Sequence, residues 1–192
     1  MNKNYPVTIL FLVVILFSCG PDSYTPKPKG FPRMDFPKKE YKVYKSDCAF
    51  QFEQGIYTFI SNAKSAENPC WINIDYGFLN SRIHFSYKEL EGDLSAHIED
   101  ARTLVYRHTI KASAINESEY LSNEKRVYAR VYELEGNAAS SIQFYATDSI
   151  KHFVRGALYF NTRTNSDSLR PAIDFIREDV WRLVETLEWT EQ

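Results

Sequence analysis

A chain of 192 residues with 44% hydrophobic and 25% charged residues and only 7 glycines is built to bury a core, which excludes a disordered or low-complexity polymer. Its formal charge of -2 carries no broad basic excess, so nucleic acid is excluded as the expected partner. The 13 Tyr and 13 Phe favour strands.

Residues 1–18 have the build of an export signal peptide: Lys3 supplies a positive start, residues 7–17 an apolar core, and Ser18 a small residue before Cys19. At about 1.5 Å of rise per residue this core falls well short of the roughly 30 Å of hydrocarbon a spanning helix must cross. The segment therefore targets and does not span. Leu16-Phe17-Ser18-Cys19 resembles a bacterial lipobox, whose cysteine sulfur accepts a diacylglycerol. Cys19 is the expected lipid attachment, and several acyl chains there would make anchoring in the membrane stable, since one chain holds only marginally. The alternative is an ordinary secretory signal with an incidental cysteine. Gly20-Pro21-Asp22-Ser23 follows without a run of acids, so the domain is expected to face the periplasm; inner or outer membrane stays undecided.

Residues 19–46 change composition. Pro21, Pro26, Pro28, Pro32 and Pro37 stand beside Lys27, Lys29, Arg33, Lys38 and Lys39, as in an extended, polyproline-like tether. Its lysines are suited to anionic lipid heads, at about 1 kcal/mol each near the surface. A plain spacer has no need of Phe31, Met34, Phe36 and Tyr41, so this strip either packs on its own domain or offers an extended peptide to a partner. Tyr24, Pro26, Pro28, Phe31, Arg33, Asp35 and Phe36 are the candidate partner-binding residues.

The string Tyr24-Thr25-Pro26-Lys27-Pro28-Lys29-Gly30-Phe31-Pro32-Arg33-Met34-Asp35-Phe36-Pro37, shortly after Cys19, resembles the gliding motility lipoprotein GldD family of the Bacteroidetes. The resemblance implies a lipoprotein required for surface gliding and for the type IX secretion system on which gliding depends. It implies no enzymatic activity, and Cys19 as the acylated residue.

Residues 47–192 are read as a single domain. Short strands are expected at 49–53 and 57–61. Residues 70–76 and 82–87 alternate, sending Ile72, Ile74, Tyr76, Ile83, Phe85 and Tyr87 inward, with a turn at 77–81 and one wet face. A helix is expected over 92–112, where Leu94, Ile98, Ala101, Val105 and His108 recur at helical spacing. Strands at 118–121, 126–134 and 140–147 follow. The next, 152–161, is apolar on both sides and should sit centrally, with Arg155-Gly156 marking a bulge or close approach. The last helix is expected from Ser168 as cap, with Pro171 in its first turn, a buried stripe of Ile173, Ile176, Val180, Leu183 and Leu187, and a Glu178–Arg182 pair outside. The sum is an α+β fold, a mainly antiparallel β-sheet flanked by two long amphipathic helices, similar in order to the PsbP and Mog1 type of sandwich.

The chemistry-bearing residues are scattered. Cys48 and Cys70 are left as a pair in a compartment where disulfides persist; a bridge and two separate buried thiols both fit. His84, His97, His108 and His152 lie on separate elements without a second ligand at metal spacing, so no metal is expected. The acid neighbours Glu99-Asp100 and Glu178-Asp179 are read as solvated faces, because adjacent helix residues point apart. Nucleophile-elbow, phosphate-loop and dinucleotide motifs are absent from the sequence, and no cofactor is implied. Asp148-Ser149-Ile150 and Asp167-Ser168-Leu169 resemble O-glycosylation sites of exported Bacteroidetes proteins, making Ser149 and Ser168 candidates. The expected function is that of a non-enzymatic lipoprotein acting through contacts with other gliding and secretion proteins. The alternative is an envelope enzyme or ligand-binding lipoprotein with a pocket lined by Tyr128, Arg130, Tyr145 and Arg155.

Overall fold

The computed structural model describes residues 33–63, 68–162 and 166–190. Within them the chain forms β1 (Tyr41–Lys45), β2 (Phe50–Gly55), β3 (Phe59–Asn62), β4 (Ile72–Tyr76), β5 (Ser81–Glu89), α1 (Leu94–Tyr106), β6 (Ala112–Ser122), β7 (Val127–Gly136), β8 (Ser140–Thr147), β9 (His152–Phe160), α2 (Ser166–Thr186) and β10 (Glu188–Trp189). Seven strands pair antiparallel in the order β3-β4-β5-β9-β8-β7-β6, and a smaller antiparallel sheet runs β1-β2-β10. The fold is thus mainly antiparallel sheet with two helices.

Strand β9 is central because both of its sides are apolar. Val154, Leu158 and Phe160 enter one core, and Phe153 enters the other. Gly156 is needed there, since a Cβ would overlap the Phe144 ring. The larger core joins Ile74, Ile83, Phe85, Phe144 and Leu158 to Phe50 and Phe52 of the small sheet and to Ile176, Val180, Leu183 and Leu187. Each such side chain, fully buried, stabilises by about 1.5–3 kcal/mol. The smaller core lies on the opposite face, where Ala101 and Val105 of α1 meet Tyr132, Leu134, Tyr145 and Phe153.

Four local expectations need correction. Helix α1 ends at Tyr106 and not near 112: residues after it form tight turns, His108 N–H to Val105 C=O at 3.0 Å and Lys111 N–H to His108 C=O at 3.0 Å. The β-branched Thr109 and Ile110 favour that break, and β6 begins at Ala112 because its pairing runs as far as Gly136. Gly136, at φ +87°, lets the chain pass: a Cβ there would stand 2.9 Å from the Lys111 oxygen. Helix α2 starts at Ser166, so Ser168 lies inside its first turn and Pro171 falls beyond that turn. Arg182 bridges to Glu53 of β2 at 2.6 Å, across elements, in place of the expected pair with Glu178.

The largest difference concerns the expected tether. Of residues 33–46, Tyr41–Lys45 form β1 and pair with β2 from Tyr41↔Gly55 to Lys45↔Gln51, while Met34 and Phe36 pack on the main core. They belong to the same compact unit as the sheets. Packing in cis, one of the two readings open to this strip, is what these residues do.

Candidate functional site

Two groups of polar side chains lie on opposite faces of the large sheet. The first is built around Asp179. It follows Ile176 by three residues and precedes Leu183 by four, so α2 carries it on the flank of the buried stripe, where it is only 5% exposed. Its Oδ1 accepts from Lys39 Nζ at 2.6 Å, Tyr41 OH at 3.0 Å and Tyr57 OH at 2.8 Å. Lys39 also donates to the Phe175 carbonyl at 2.5 Å and holds its ammonium 3.4 Å from that ring's centroid. Phe36 stacks on the same ring at 4.7 Å. One cation is matched to one anion, and the surplus lone pairs are filled by phenols.

Burial first, and the Asp179 charge and hydrogen bonds with it, push the hydroxyls of Tyr41 and Tyr57 up, and Tyr76 well up. All three stay protonated and can donate. Gly55 makes room for this, since a Cβ on it would lie 2.5 Å from the Tyr57 ring. The arrangement clamps the strip to α2 at Lys39. Two expectations fall here. Asp179 is a buried anchor and not part of a solvated face, and Lys39 is spent on it and not free for lipid heads.

The second group lines an open cleft of about 500 Å3 at the β4–β5–β9 end of the other face. Asp75 accepts from Arg82 Nε at 2.6 Å and from Ser61 Oγ at 2.7 Å. His84 Nδ1 lies 2.8 Å from Asn73 Oδ1; an amide oxygen only accepts, so Nδ1 carries the proton and Nε2 is left as an acceptor. Burial, then the Arg82 charge, lowers the pKa of His84 and keeps it neutral. The Tyr159 ring stands edge-on to it at 5.5 Å. Asn80, left-handed at φ +47°, closes the β4–β5 turn at the cleft's rim.

The pocket expected from Tyr128, Arg130, Tyr145 and Arg155 divides. The first three line a hollow of about 170 Å3 beside α1, where Arg130 is taken up by Glu117 at 2.9 Å and by Glu119. Arg155 is absent from its lining. Cys48 and Cys70 form a disulfide with Cα atoms 5.8 Å apart, tying the start of β2 to the start of β4. Arg33 and Asp35 are exposed and 3.6 Å apart. Phe36, offered as a partner contact, is instead stacked on Phe175. Cys19, Tyr24, Pro26, Pro28 and Phe31 lie outside the described residues, as does the signal segment. Ser149 and Ser168 are both exposed, whereas the carboxylate of Asp148 turns inward to accept from the N–H groups of Ile150, Lys151 and His152. Among the described residues no three His, Cys, Asp or Glu side chains gather as a metal set.

Sequence reasoning missed the anchoring role of Asp179 and Tyr57. The signal for Asp179 was its phase with Ile176 and Leu183. Nothing local tied it to Lys39, 140 residues away.

The family model described as gliding motility lipoprotein GldD matches residues 21–189, strip and domain alike. The chain belongs to the gliding motility lipoprotein GldD family. As a GldD-family member it is a lipoprotein of the cell envelope involved in gliding motility. None of the curated proteins matches it. Among solved structures it is similar to cyanobacterial PsbP (CyanoP) from Synechocystis sp. PCC 6803, at 9% identity over 85% of this chain and 99% of that one, with a TM-score of 0.48. No helix among the described residues of this GldD-family chain is long and apolar enough to cross a membrane.

Proposed function

We propose that this chain is a non-enzymatic component of the machinery for gliding and the associated type IX secretion, anchored through acylated Cys19 with its domain facing the periplasm, and working through contacts with other proteins. The observation that carries the reading is the family match across residues 21–189. The Asp179 clamp is compatible with it: Lys39 and Tyr41 are held on α2, so the residues of the strip next to β1 are fixed to the domain. Among the described residues of the strip, Arg33 and Asp35 are exposed and available to such partners.

The test is complementation of a deletion strain. The parent chain should restore spreading of colonies and secretion of type IX substrates. A Cys19→Ala chain and a chain with residues 24–37 scrambled should restore neither. A deletion that leaves both activities intact overturns the reading. O-glycosylation at Ser149 and Ser168 belongs to the same proposal, and their exposure supports it. The intact mass of the native protein should exceed that of a Ser149→Ala, Ser168→Ala variant by more than the two oxygens lost, and equality beyond that removes it.

A further inference from the structure

Cross-strand pairing sets Phe59 opposite Asp75, Asp75 opposite Arg82 and Arg82 opposite Tyr159. Directly opposed residues share a face, so these four side chains form one row across β3, β4, β5 and β9 on the open side of the large sheet. With neighbouring strands about 4.8 Å apart, the row is about 14 Å long. An aromatic ring stands at each end, and a carboxylate and a guanidinium lie between. Asp75, Arg82 and Tyr159 border the cleft of about 500 Å3; Phe59 stands one strand beyond it, 68% exposed and outside both cores. Along β5, His84 flanks the row on one side. Asn80 and Asn161 flank it on the other, where Asn80 Nδ2 donates to the Asn161 carbonyl at 3.0 Å.

The lining of the cleft is balanced in charge. Asp75 and Arg82 are its charged residues, they bridge at 2.6 Å, and His84 is held neutral. Neither an anion nor a cation is therefore favoured. Hydrogen-bonding capacity of both signs is left at groups that solvent reaches. Arg82 meets Asp75 through Nε, which leaves its outer nitrogens as donors. Each Asp75 oxygen has taken one bond, from Arg82 or from Ser61, and keeps a lone pair, while His84 Nε2 accepts. A sugar matches this set, since it carries no charge and each of its hydroxyls both donates and accepts. Planar carboxylate and guanidinium groups hold two neighbouring hydroxyls at once. The C–H groups on the face of a sugar ring are weakly positive and suit the negative face of an aromatic ring.

We propose that this cleft binds a neutral saccharide, with one sugar ring against Tyr159, its hydroxyls held by Asp75, Arg82 and His84, and a further ring of the same chain reaching Phe59. The length of the row exceeds a single sugar ring, so a short oligosaccharide is the better fit. The inference does not depend on the gliding assignment.

The full-length protein, in micelles of a detergent without sugar headgroups, is titrated calorimetrically with glucose, mannose and N-acetylglucosamine, with a linear trisaccharide of each, and with glucuronic acid. At least one neutral trisaccharide should bind, more tightly than its single sugar. Tyr159→Leu should abolish binding of both. Phe59→Ser should weaken the trisaccharide about tenfold and leave the single sugar unchanged. Because Phe59 is exposed and outside both cores, that variant keeps the test open should Tyr159→Leu fail to fold. Asp75→Asn leaves Arg82 without its counter-charge and should bind glucuronic acid, which the parent rejects. Three results overturn the proposal: no neutral sugar binds, the parent prefers glucuronic acid to glucose, or trisaccharide affinity is unchanged in Tyr159→Leu and Phe59→Ser.

Discussion

The two faces of the seven-stranded sheet are used differently. On one, Ile74, Ile83, Phe85, Phe144 and Leu158 are shut away beneath α2 and β2. On the other, α1 covers the β6–β7–β8–β9 end, where Tyr132, Tyr145 and Phe153 make a second core. From β9 across to β4 that face carries Arg155, Tyr159, His84, Arg82 and Asp75, and an open cleft. The same alternation of residues supplied both faces. What separates them is coverage: a face that an element lies on becomes core, and the part it does not reach stays open to solvent.

Breaking the covered face should have the largest effect. Phe85→Ala, at a position 1% exposed, is expected to lower the free energy of unfolding by about 3–5 kcal/mol in chemical denaturation. A loss under about 1 kcal/mol would mean the face collapses freely and is not tightly packed. Next comes the clamp on the same side. Asp179→Ala leaves the Lys39 ammonium and the Tyr41 and Tyr57 hydroxyls without their acceptor, at a cost of roughly 3 kcal/mol. Amide exchange should then quicken in β1 well before it does in β5; equal acceleration would deny the clamp its local role.

A smaller effect is expected at Asp148, and it depends on pH. Burial works against its charge, but the N–H groups of His152, Ile150 and Lys151 outweigh burial and hold its pKa below the usual carboxylate value. A folded pKa below the unfolded one adds stability above the ordinary carboxylate range, and that stability is lost as pH falls through the folded value. The parent's thermal midpoint should therefore drop more steeply below about pH 4 than that of Asp148→Asn, which at neutral pH should be about 1 kcal/mol less stable. Parallel midpoint curves for the two proteins would contradict this. The smallest effect belongs to the open face. His84→Gln, on the open face and outside both cores, should change stability by no more than about 0.5 kcal/mol, and a larger loss would mean the cleft's side chains support the fold.

Much of the sheet was legible. Ile72, Ile74 and Tyr76 against Asn73 and Asp75, and Ile83 and Phe85 against Arg82 and His84, announce two strands and the face each buries, because side chains on a strand alternate with a period of two. The central place of β9 followed from its apolar groups on both sides. Helix ends were less legible: Pro171 suggested a start near Ser168, while the helix begins at Ser166 and places the proline within. The strip was ambiguous for a different reason. Phe36 and Met34 announce that something must cover them, but composition cannot say whether that surface is in cis or on a partner.

Within residues 33–190, the sequence alone determined what depends on neighbours along the chain: which residues alternate, which recur at helical spacing, and that two cysteines were available to pair. Further upstream it also supplied a stretch that resembles a lipobox and a strip that resembles a lipoprotein family. Only the tertiary structure decided that Lys39 meets Asp179 across 140 residues, that Cys48 meets Cys70, and that Arg155 donates to Gln143 on the neighbouring strand. The physical reason is range. Local periodicity is set by backbone geometry over a few residues, whereas a buried charge finds its partner, or is left without one, only when strands far apart in sequence are brought side by side.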